Sequence, residues 1–226
     1  MPTARESLLS AALLALDERP WSAVRMVDVA AAAGVSRQTL YNEFGGKDGL
    51  ARALVRREAD AYFHGVDRLL HDRPGCGLPG TAALDGANGG GVVDRLVAVA
   101  EWTVAQARSR PLLHALLTGC WGERLPVPRP VGPGAPPGGA PAQRRADAGP
   151  PDPADLAAAI RDRSLAVLSK VRGGGWDAGG SGRTPEEVAV LAYRCEVAVR
   201  LALSYVMAPD GDGVGSIVRT AVGRPF

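Results

Sequence analysis

The sequence is poor in cysteine and in net charge. Its 226 residues include three cysteines, Cys76, Cys120 and Cys195, and no two of them form a Cys-x-x-Cys pair. An odd number in this arrangement argues against a disulfide framework and against a zinc knuckle, and it fits a reducing cytoplasm. Basic residues exceed acidic residues by only 26 to 24, so net charge alone predicts no polyanionic partner.

Long apolar runs are missing as well. The stretch Leu8–Leu16 is preceded by Glu6 and followed directly by Asp17, and no small-residue cleavage site follows it, unlike in a signal peptide. No run reaches the roughly 20 apolar residues that a membrane helix needs. With hydrophobic residues at 46% and charged residues at 22%, the composition predicts a soluble cytoplasmic protein with no membrane partner.

Motifs of common enzyme classes are absent too. The chain has three histidines and no Gly-x-Ser-x-Gly elbow, P-loop or dinucleotide-binding fingerprint. Cys120 and Cys195 lie in apolar helical contexts, which favours a packing role over a nucleophilic one. We therefore expect a protein that is not an enzyme, with no catalytic residues and no cofactor.

One group of potential metal ligands lies in the predicted fourth helix. Asp60, His64, Asp67 and His71 recur at i, i+4, i+7 and i+11, which places them on one helical face. Ligands on a single straight helix cannot enclose an ion by themselves, and the neighbouring arginines favour a solvated face. No metal site is predicted.

What the sequence does contain is helical periodicity, beginning close to the first residue. Thr3 and Glu6 form the Ser/Thr-x-x-Glu pattern of a capping box, which predicts a helix over 3–17. Short helices over 27–33 and 37–44 follow, separated by a turn that contains Gly34 and a Ser36 cap. Two short helices joined in this way are a helix-turn-helix candidate. A long amphipathic helix follows over 47–71.

The rest of the chain alternates helical patterns with segments rich in glycine and proline. Helices are predicted over 92–109, 111–119, 153–171, 185–207 and 214–222, and no strand pattern is evident. The predicted fold is all-α. It comprises a three-helix helix-turn-helix domain over 1–50, a connecting fourth helix over 47–72 and a C-terminal domain over 73–226 with disordered loops at 74–91 and 126–153.

The stretch Val27–Leu50 resembles the DNA-binding signature of the tetracycline-repressor (TetR) family of bacterial transcription regulators. The turn Ala-Gly-Val-Ser that ends at Ser36, the pattern Leu40-Tyr-x-x-Phe and the following Lys47-x-x-Leu all fall in register. One departure is Val27, where the family usually has Thr or Ser that caps a helix and touches phosphate. Arg25 or Asp28 is expected to take over that role.

The third helix has the chemistry of a recognition helix. Leu40 and Phe44 lie four residues apart and face inward, which leaves a polar outer face. Arg can pair bidentately with guanine, Gln with adenine, and Thr can meet a thymine methyl group. The resemblance implies that Thr39, Tyr41 and Lys47 grip phosphates, helped by free amides at the start of the fourth helix. The predicted DNA-binding residues are Arg25, Ser36, Arg37, Gln38, Thr39, Tyr41, Asn42 and Lys47.

The resemblance also implies an effector cavity walled by the C-terminal helices. Large apolar residues with few polar groups among them would suit a hydrophobic small molecule. The same residues would equally make an ordinary helical core. The candidate pocket residues are Tyr62, Phe63, Trp102, Leu113, His114, Leu116, Leu117 and Trp121.

The last two long helices carry apolar stripes that have two readings. The resemblance implies that they pair with their copies in a homodimer, which would place two third helices about 34 Å apart on a palindrome. Alternatively, they close the core of the monomer. The stripes comprise Leu156, Ile160, Leu165 and Leu168, then Val188, Leu191, Val199, Leu203 and Met207.

The function expected is that of a ligand-responsive regulator of transcription. It would bind a double-stranded operator as a homodimer, act as a repressor and leave DNA when a hydrophobic effector binds. The alternative is a helical metal or redox sensor, or a scaffold, in which the helix-turn-helix is only a packing element.

Overall fold

The computed structural model describes residues 3–71, 90–127, 151–170, 183–209 and 213–223. Regular structure in these residues consists of α-helices and one 3-10 turn, Trp21–Ala23, with no strand, which confirms the predicted all-α class. Most of the predicted loops, at 74–91 and 126–153, lies outside the described residues. The helices are α1 (Ala4–Glu18), α2 (Met26–Ala32), α3 (Arg37–Phe44), α4 (Lys47–His71), α5 (Gly90–Ser109), α6 (Pro111–Thr118), α7 (Pro153–Leu168), α8 (Pro185–Met207) and α9 (Val214–Gly223).

Helix ends in the N-terminal part follow from local chemistry. Thr3 caps α1 through a complete capping box with Glu6. Gly34, just after α2, and Gly45, at the end of α3, have φ of 67° and 71°. This left-handed conformation is one that residues with a Cβ adopt at a cost, so these two glycines fix the turn and the end of α3.

Helices α1, α2 and α3 pack against one another around a small apolar core. Leu40 of α3 has no exposed surface, and Phe44 is buried one turn later. Val29 of α2 and Leu50 of α4 are buried as well, whereas Val35 is half-buried. The inward face of α3 is therefore the one predicted from the spacing of Leu40 and Phe44.

The chain divides into two compact units. The N-terminal unit comprises residues 1–61 and 111–152, and the C-terminal unit comprises residues 62–110 and 153–226. The division groups α6 and the residues after it with the helix-turn-helix, whereas the sequence pattern assigns all of 73–226 to the C-terminal domain. One bond that ties them is the backbone N–H of Trp21, which donates to the carbonyl oxygen of Arg124 over 2.8 Å.

In the C-terminal unit, α5, α8 and α9 pack on one another and α7 packs on α8. Five residues of the predicted apolar stripes are buried in this core. They are Leu156, Ile160 and Leu168 of α7 and Leu191 and Val199 of α8. The remaining stripe residues reach further out: Leu165, Val188 and Leu203 are half-buried and Met207 is exposed.

No helix in the part of the chain that the structure describes has the length and apolar character required to cross a membrane.

Candidate nucleic-acid interface and ligand cavity

The start of α3 is held by hydroxyl groups. Ser36 Oγ accepts a hydrogen bond from the backbone N–H of Thr39 over 3.0 Å, and the two side-chain hydroxyls lie 2.8 Å apart. Because the cap satisfies an amide that α3 itself leaves free, it fixes where the recognition helix begins. Ser36 is exposed and Thr39 is half-buried, so both sit at the edge of the outer face.

Arg37, Gln38 and Asn42 form the exposed polar part of α3. The side-chain amide of Gln38 donates from Nε2 to Asn42 Oδ1 over 2.9 Å. This bond restrains Gln38 and leaves its second amide hydrogen and its Oε1 free. Those are the groups that a glutamine uses to pair with adenine in the major groove.

The far end of α3 is anchored to α1. Arg5 Nη1 donates to the carbonyl oxygen of Glu43 over 3.3 Å, and its guanidinium lies 4.7 Å from the centre of the Phe44 ring. Tyr41, on the outer face, keeps 44% of its surface exposed although it is a large aromatic residue. Its phenol is thus available to a phosphate, which a tyrosine hydroxyl can contact.

Lys47 at the start of α4 is positioned by the turn before α2. Its Nζ donates to the carbonyl oxygen of Ser22 over 3.1 Å and lies 5.3 Å from the centre of the Trp21 ring. Partial burial there lowers the pKa of Lys47, and the neighbouring carboxylate of Asp48 acts in the opposite direction. Trp21 and Ser22 were not among the predicted site residues, because nothing local in the sequence marks them as partners of Lys47.

Arg25 is engaged within the protein. Its Nε and Nη2 each donate to Asp28 over 2.9 Å, and these bonds hold the pKa of Asp28 below its usual range. Arg19 lies 3.6 Å from the same carboxylate. Val27 is partly exposed, and α2 starts without a side-chain cap. Arg25 therefore carries a neutralising partner at the place where a phosphate contact was predicted.

A separate cavity lies within the C-terminal unit, between α5, α7 and α8. Its free volume is about 10 Å³. Most of its lining is aliphatic, and the polar exceptions are the hydroxyls of Tyr62, Thr103 and Ser164. Tyr62 and Thr103 form a hydrogen bond of 2.9 Å, while Ser164 Oγ is buried without a hydrogen-bond partner among the described residues.

Of the predicted pocket residues, Tyr62 lines this cavity. Trp102 stacks on Tyr62 with ring centres 5.4 Å apart, and Phe63 lies 6.0 Å from Tyr62 on the same measure. The other predicted pocket residues belong to the N-terminal unit; they are Leu113, His114, Leu116, Leu117 and Trp121. Thr103 and Ser164 were missed, although Ser164 falls on the apolar stripe of α7.

The position of Trp102, which stacks on Tyr62, depends on Gly65 of α4. A Cβ built at Gly65 of α4 would overlap the Trp102 ring, so the indole lies flat on the helix at this point. Gly65→Ala should gain about 1 kcal/mol in helix propensity. We expect the clash to outweigh that gain and to lower the free energy of unfolding by about 1–3 kcal/mol in urea denaturation.

The matched control is Gly91→Ala near the start of α5, where nothing lies within 4 Å of the added Cβ. This variant should be neutral or slightly stabilising, and near-ultraviolet circular dichroism should change only for Gly65→Ala. Equal effects of the two substitutions would contradict the role assigned to Gly65.

Two of the four potential metal ligands on α4, Asp67 and His71, have other partners. Arg163 Nη1 donates to Asp67 over 2.8 Å, and His71 Nδ1 lies 2.6 Å from the carbonyl oxygen of Asp67. Among the described residues, no group of three or more His, Cys, Asp or Glu is placed to hold a metal ion.

Burial raises the pKa of Cys195 to about 12, so its thiol is not ionised at neutral pH.

Together, α2, the turn at Gly34 and the exposed polar face of α3 define a helix-turn-helix protein of the DNA-binding class. Residues 8–54 match the family model described as bacterial regulatory proteins, tetR family. Residues 8–54 of the chain thus carry the N-terminal domain of that family.

Two of the proteins that the chain resembles are named AlkX. The chain is 38% identical over 115 residues to the HTH-type transcriptional regulator AlkX of Mycobacterium tuberculosis, and the match covers 51% of this chain and 47% of that protein. The matched part thus spans about half the length of that relative. The crystal structure of the TetR family repressor AlkX from Dietzia sp. strain DQ12-45-1b aligns with 98% of this chain and 94% of that one, at a TM-score of 0.50 and 21% identity. That likeness shows a shared fold.

Proposed function

We propose that this protein is a transcriptional regulator, namely a cytoplasmic, non-enzymatic repressor that binds a palindromic operator as a homodimer and is released by an apolar small molecule. The observation that carries the DNA-binding part is the outer face of α3. Arg37, Gln38 and Asn42 are exposed there between a Ser36 cap and the left-handed Gly45. Exposed polar side chains on a short, capped helix are suited to reading base edges in a major groove.

The proposed contacts divide by chemistry. Arg37 and Gln38 read bases, and Asn42 holds Gln38 in position through the 2.9 Å bond between their amides. Thr39, Tyr41 and Lys47 contact phosphates, since hydroxyl and ammonium groups at a helix end fix the register of a protein on the duplex. The salt bridge between Arg25 and Asp28 favours a supporting role for Arg25 over a direct contact.

Fluorescence anisotropy on DNA from immediately upstream of the protein's own gene tests this proposal. The titration is made at two salt concentrations with random-sequence competitor. We expect tight binding that survives competitor and weakens with salt, because each neutralised phosphate releases a counterion. Absence of binding at both salt concentrations would contradict the proposal.

The homodimer is supported by the outer face of α8. Val190 and Tyr193 are exposed and Val197 and Leu201 are half-buried, and their spacing places them on one side of the helix. The opposite side, which includes Cys195, is buried in the unit itself. A helix with one apolar face in its own core and a second one left outside fits a symmetric contact with its copy.

Val197→Glu is expected to convert the dimer to a monomer. Each copy would bring a carboxylate into the contact without a partner, and burying unpaired charge is costly. The dimer dissociation constant should rise by at least about 100-fold, which corresponds to about 2.7 kcal/mol. Analytical ultracentrifugation over a concentration series measures it.

Ala105→Glu is the control, because Ala105 is exposed in the same unit but lies on α5, away from the apolar face of α8. It should leave the association unchanged. An unaltered dimer in Val197→Glu would show that copies of the chain associate elsewhere.

Release by an effector needs a ligand that binds the DNA-free geometry better than the DNA-bound one. A coupling of about 1–3 kcal/mol between the two sites would weaken operator binding by about 5–150-fold. The cavity between α5, α7 and α8 is the proposed effector site, since its lining is mainly aliphatic and it lies in the C-terminal unit.

A further inference from the structure

The hydroxyl of Ser164 is buried inside α7 without a hydrogen-bond partner among the described residues. A serine or threonine inside a helix normally donates to a carbonyl of the preceding turn. Thr118 Oγ1 of α6 does so to His114 over 2.7 Å, and Thr220 Oγ1 of α9 does so to Ser216 over 3.0 Å. Ser164 Oγ has no such partner among the described residues, although its residue has no exposed surface.

Ser164 instead lines the cavity of the C-terminal unit. There the other two hydroxyls, of Tyr62 and Thr103, are hydrogen-bonded to each other. Ser164 is the polar lining residue without a hydrogen-bond partner among the described residues, surrounded by side chains such as Ile160 and Val199 that offer none. A ligand with a single hydrogen-bonding group would satisfy it and leave the remaining lining in apolar contact.

The lining also carries no charge. Lys, Arg, His, Asp and Glu are absent from the described residues that line the cavity. Burial raises the pKa of Tyr62 to about 12, so its phenol stays neutral at physiological pH. A carboxylate or ammonium group would lose its hydration there without gaining a counter-charge, which excludes ionised ligands.

We propose that this cavity binds an uncharged aliphatic ligand with one hydroxyl or carbonyl group, and that Ser164 hydrogen-bonds to that group. The inference rests on the proposed effector function and specifies its ligand class. The free volume of about 10 Å³ is close to the minimum for one water molecule. Entry of the ligand thus separates α5, α7 and α8, which links binding to a change of shape.

The test compares 1-octanol, n-octane and octanoate as probes of the full-length protein. Their affinities are measured at neutral pH by ligand-induced thermal shift over a series of probe concentrations. The measurement is made on the natural sequence and on Ser164→Ala. We expect octanol and octane to bind and octanoate not to bind. In Ser164→Ala, the ratio of octanol affinity to octane affinity should fall about tenfold, the value of one good hydrogen bond.

Ser204→Ala is the control, because Ser204 is exposed on α8 and lies outside the cavity. It should leave the ratio unchanged. Ser164→Ala removes a buried hydroxyl that lacks a partner, so it should fold at least as stably as the natural sequence.

An unchanged ratio in Ser164→Ala would overturn the proposal, as would binding of octanoate or a failure of all three probes to bind. Operator binding in the absence of any probe is measured alongside. If the protein does not bind the operator without a probe, the proposed regulator function is refuted. If it binds the operator but the probes do not behave as expected, only the ligand class is refuted.

Discussion

Replacing Gln38 with alanine is expected to weaken binding to the operator by about 30-fold or more and to relax the preference at one base pair of each half-site. A bidentate contact to a base contributes about 1–3 kcal/mol of discrimination. The dimer makes that contact twice, so the loss is at least about 2 kcal/mol. Binding to random DNA should remain nearly unchanged, because Gln38 is assigned no phosphate contact. Anisotropy on the operator and on single-base variants of it measures both effects.

Lys47→Ala provides the contrast. The Lys47 ammonium is assigned to a phosphate, so its loss should weaken binding to operator and random DNA alike and should make the salt dependence shallower by about one counterion per subunit. A uniform loss in Gln38→Ala, like that in Lys47→Ala, would contradict the assignment of Gln38 to a base.

Leu40→Ala is expected to cost about 2–5 kcal/mol of unfolding free energy. Leu40 has no exposed surface and lies where α3 meets α1 and α2, so truncation leaves a cavity in a very small core. Typical domains are stable by about 5–15 kcal/mol, so this loss is a large fraction of the total. Urea denaturation should show it, and DNA binding should weaken because α3 loses its support.

Leu14→Ala removes the same atoms from a residue that is 67% exposed on α1. It should change the unfolding free energy by less than about 0.5 kcal/mol. If the two variants were equally stable, the arrangement of Leu40 at the centre of the helix-turn-helix would be wrong.

Capping residues at the helix ends explain why the bounds of several helices could be predicted. Ser36 and Gly45 bracket α3, and the predicted range 37–44 is the observed one. Thr184 caps α8 with Glu187 in a second capping box, and that helix also has its predicted range. These signals act within a few residues of the chain, so sequence reasoning reaches them.

Fewer contacts of the candidate site could be predicted from the sequence, because they join residues that are far apart in the chain. The bond from Lys47 to Ser22 spans 25 positions, and the pair Tyr62–Thr103 spans 41. Ser164 could have been recognised in the sequence, because it takes the middle position of an apolar repeat at intervals of four, between Ile160 and Leu168. A small polar residue on a buried stripe is a signal for a cavity-facing group that could be sought in other sequences.

The backbone bond between Trp21 and Arg124 makes one amide proton a reporter of motion in the N-terminal unit. Both partners are main-chain groups, so substitutions other than proline at Trp21 leave the donor and the acceptor in place. The Trp21 amide exchanges with deuterium when this bond opens. Its exchange rate in the free, DNA-bound and octanol-bound protein therefore measures how often the segment after α6 separates from the helix-turn-helix in each state.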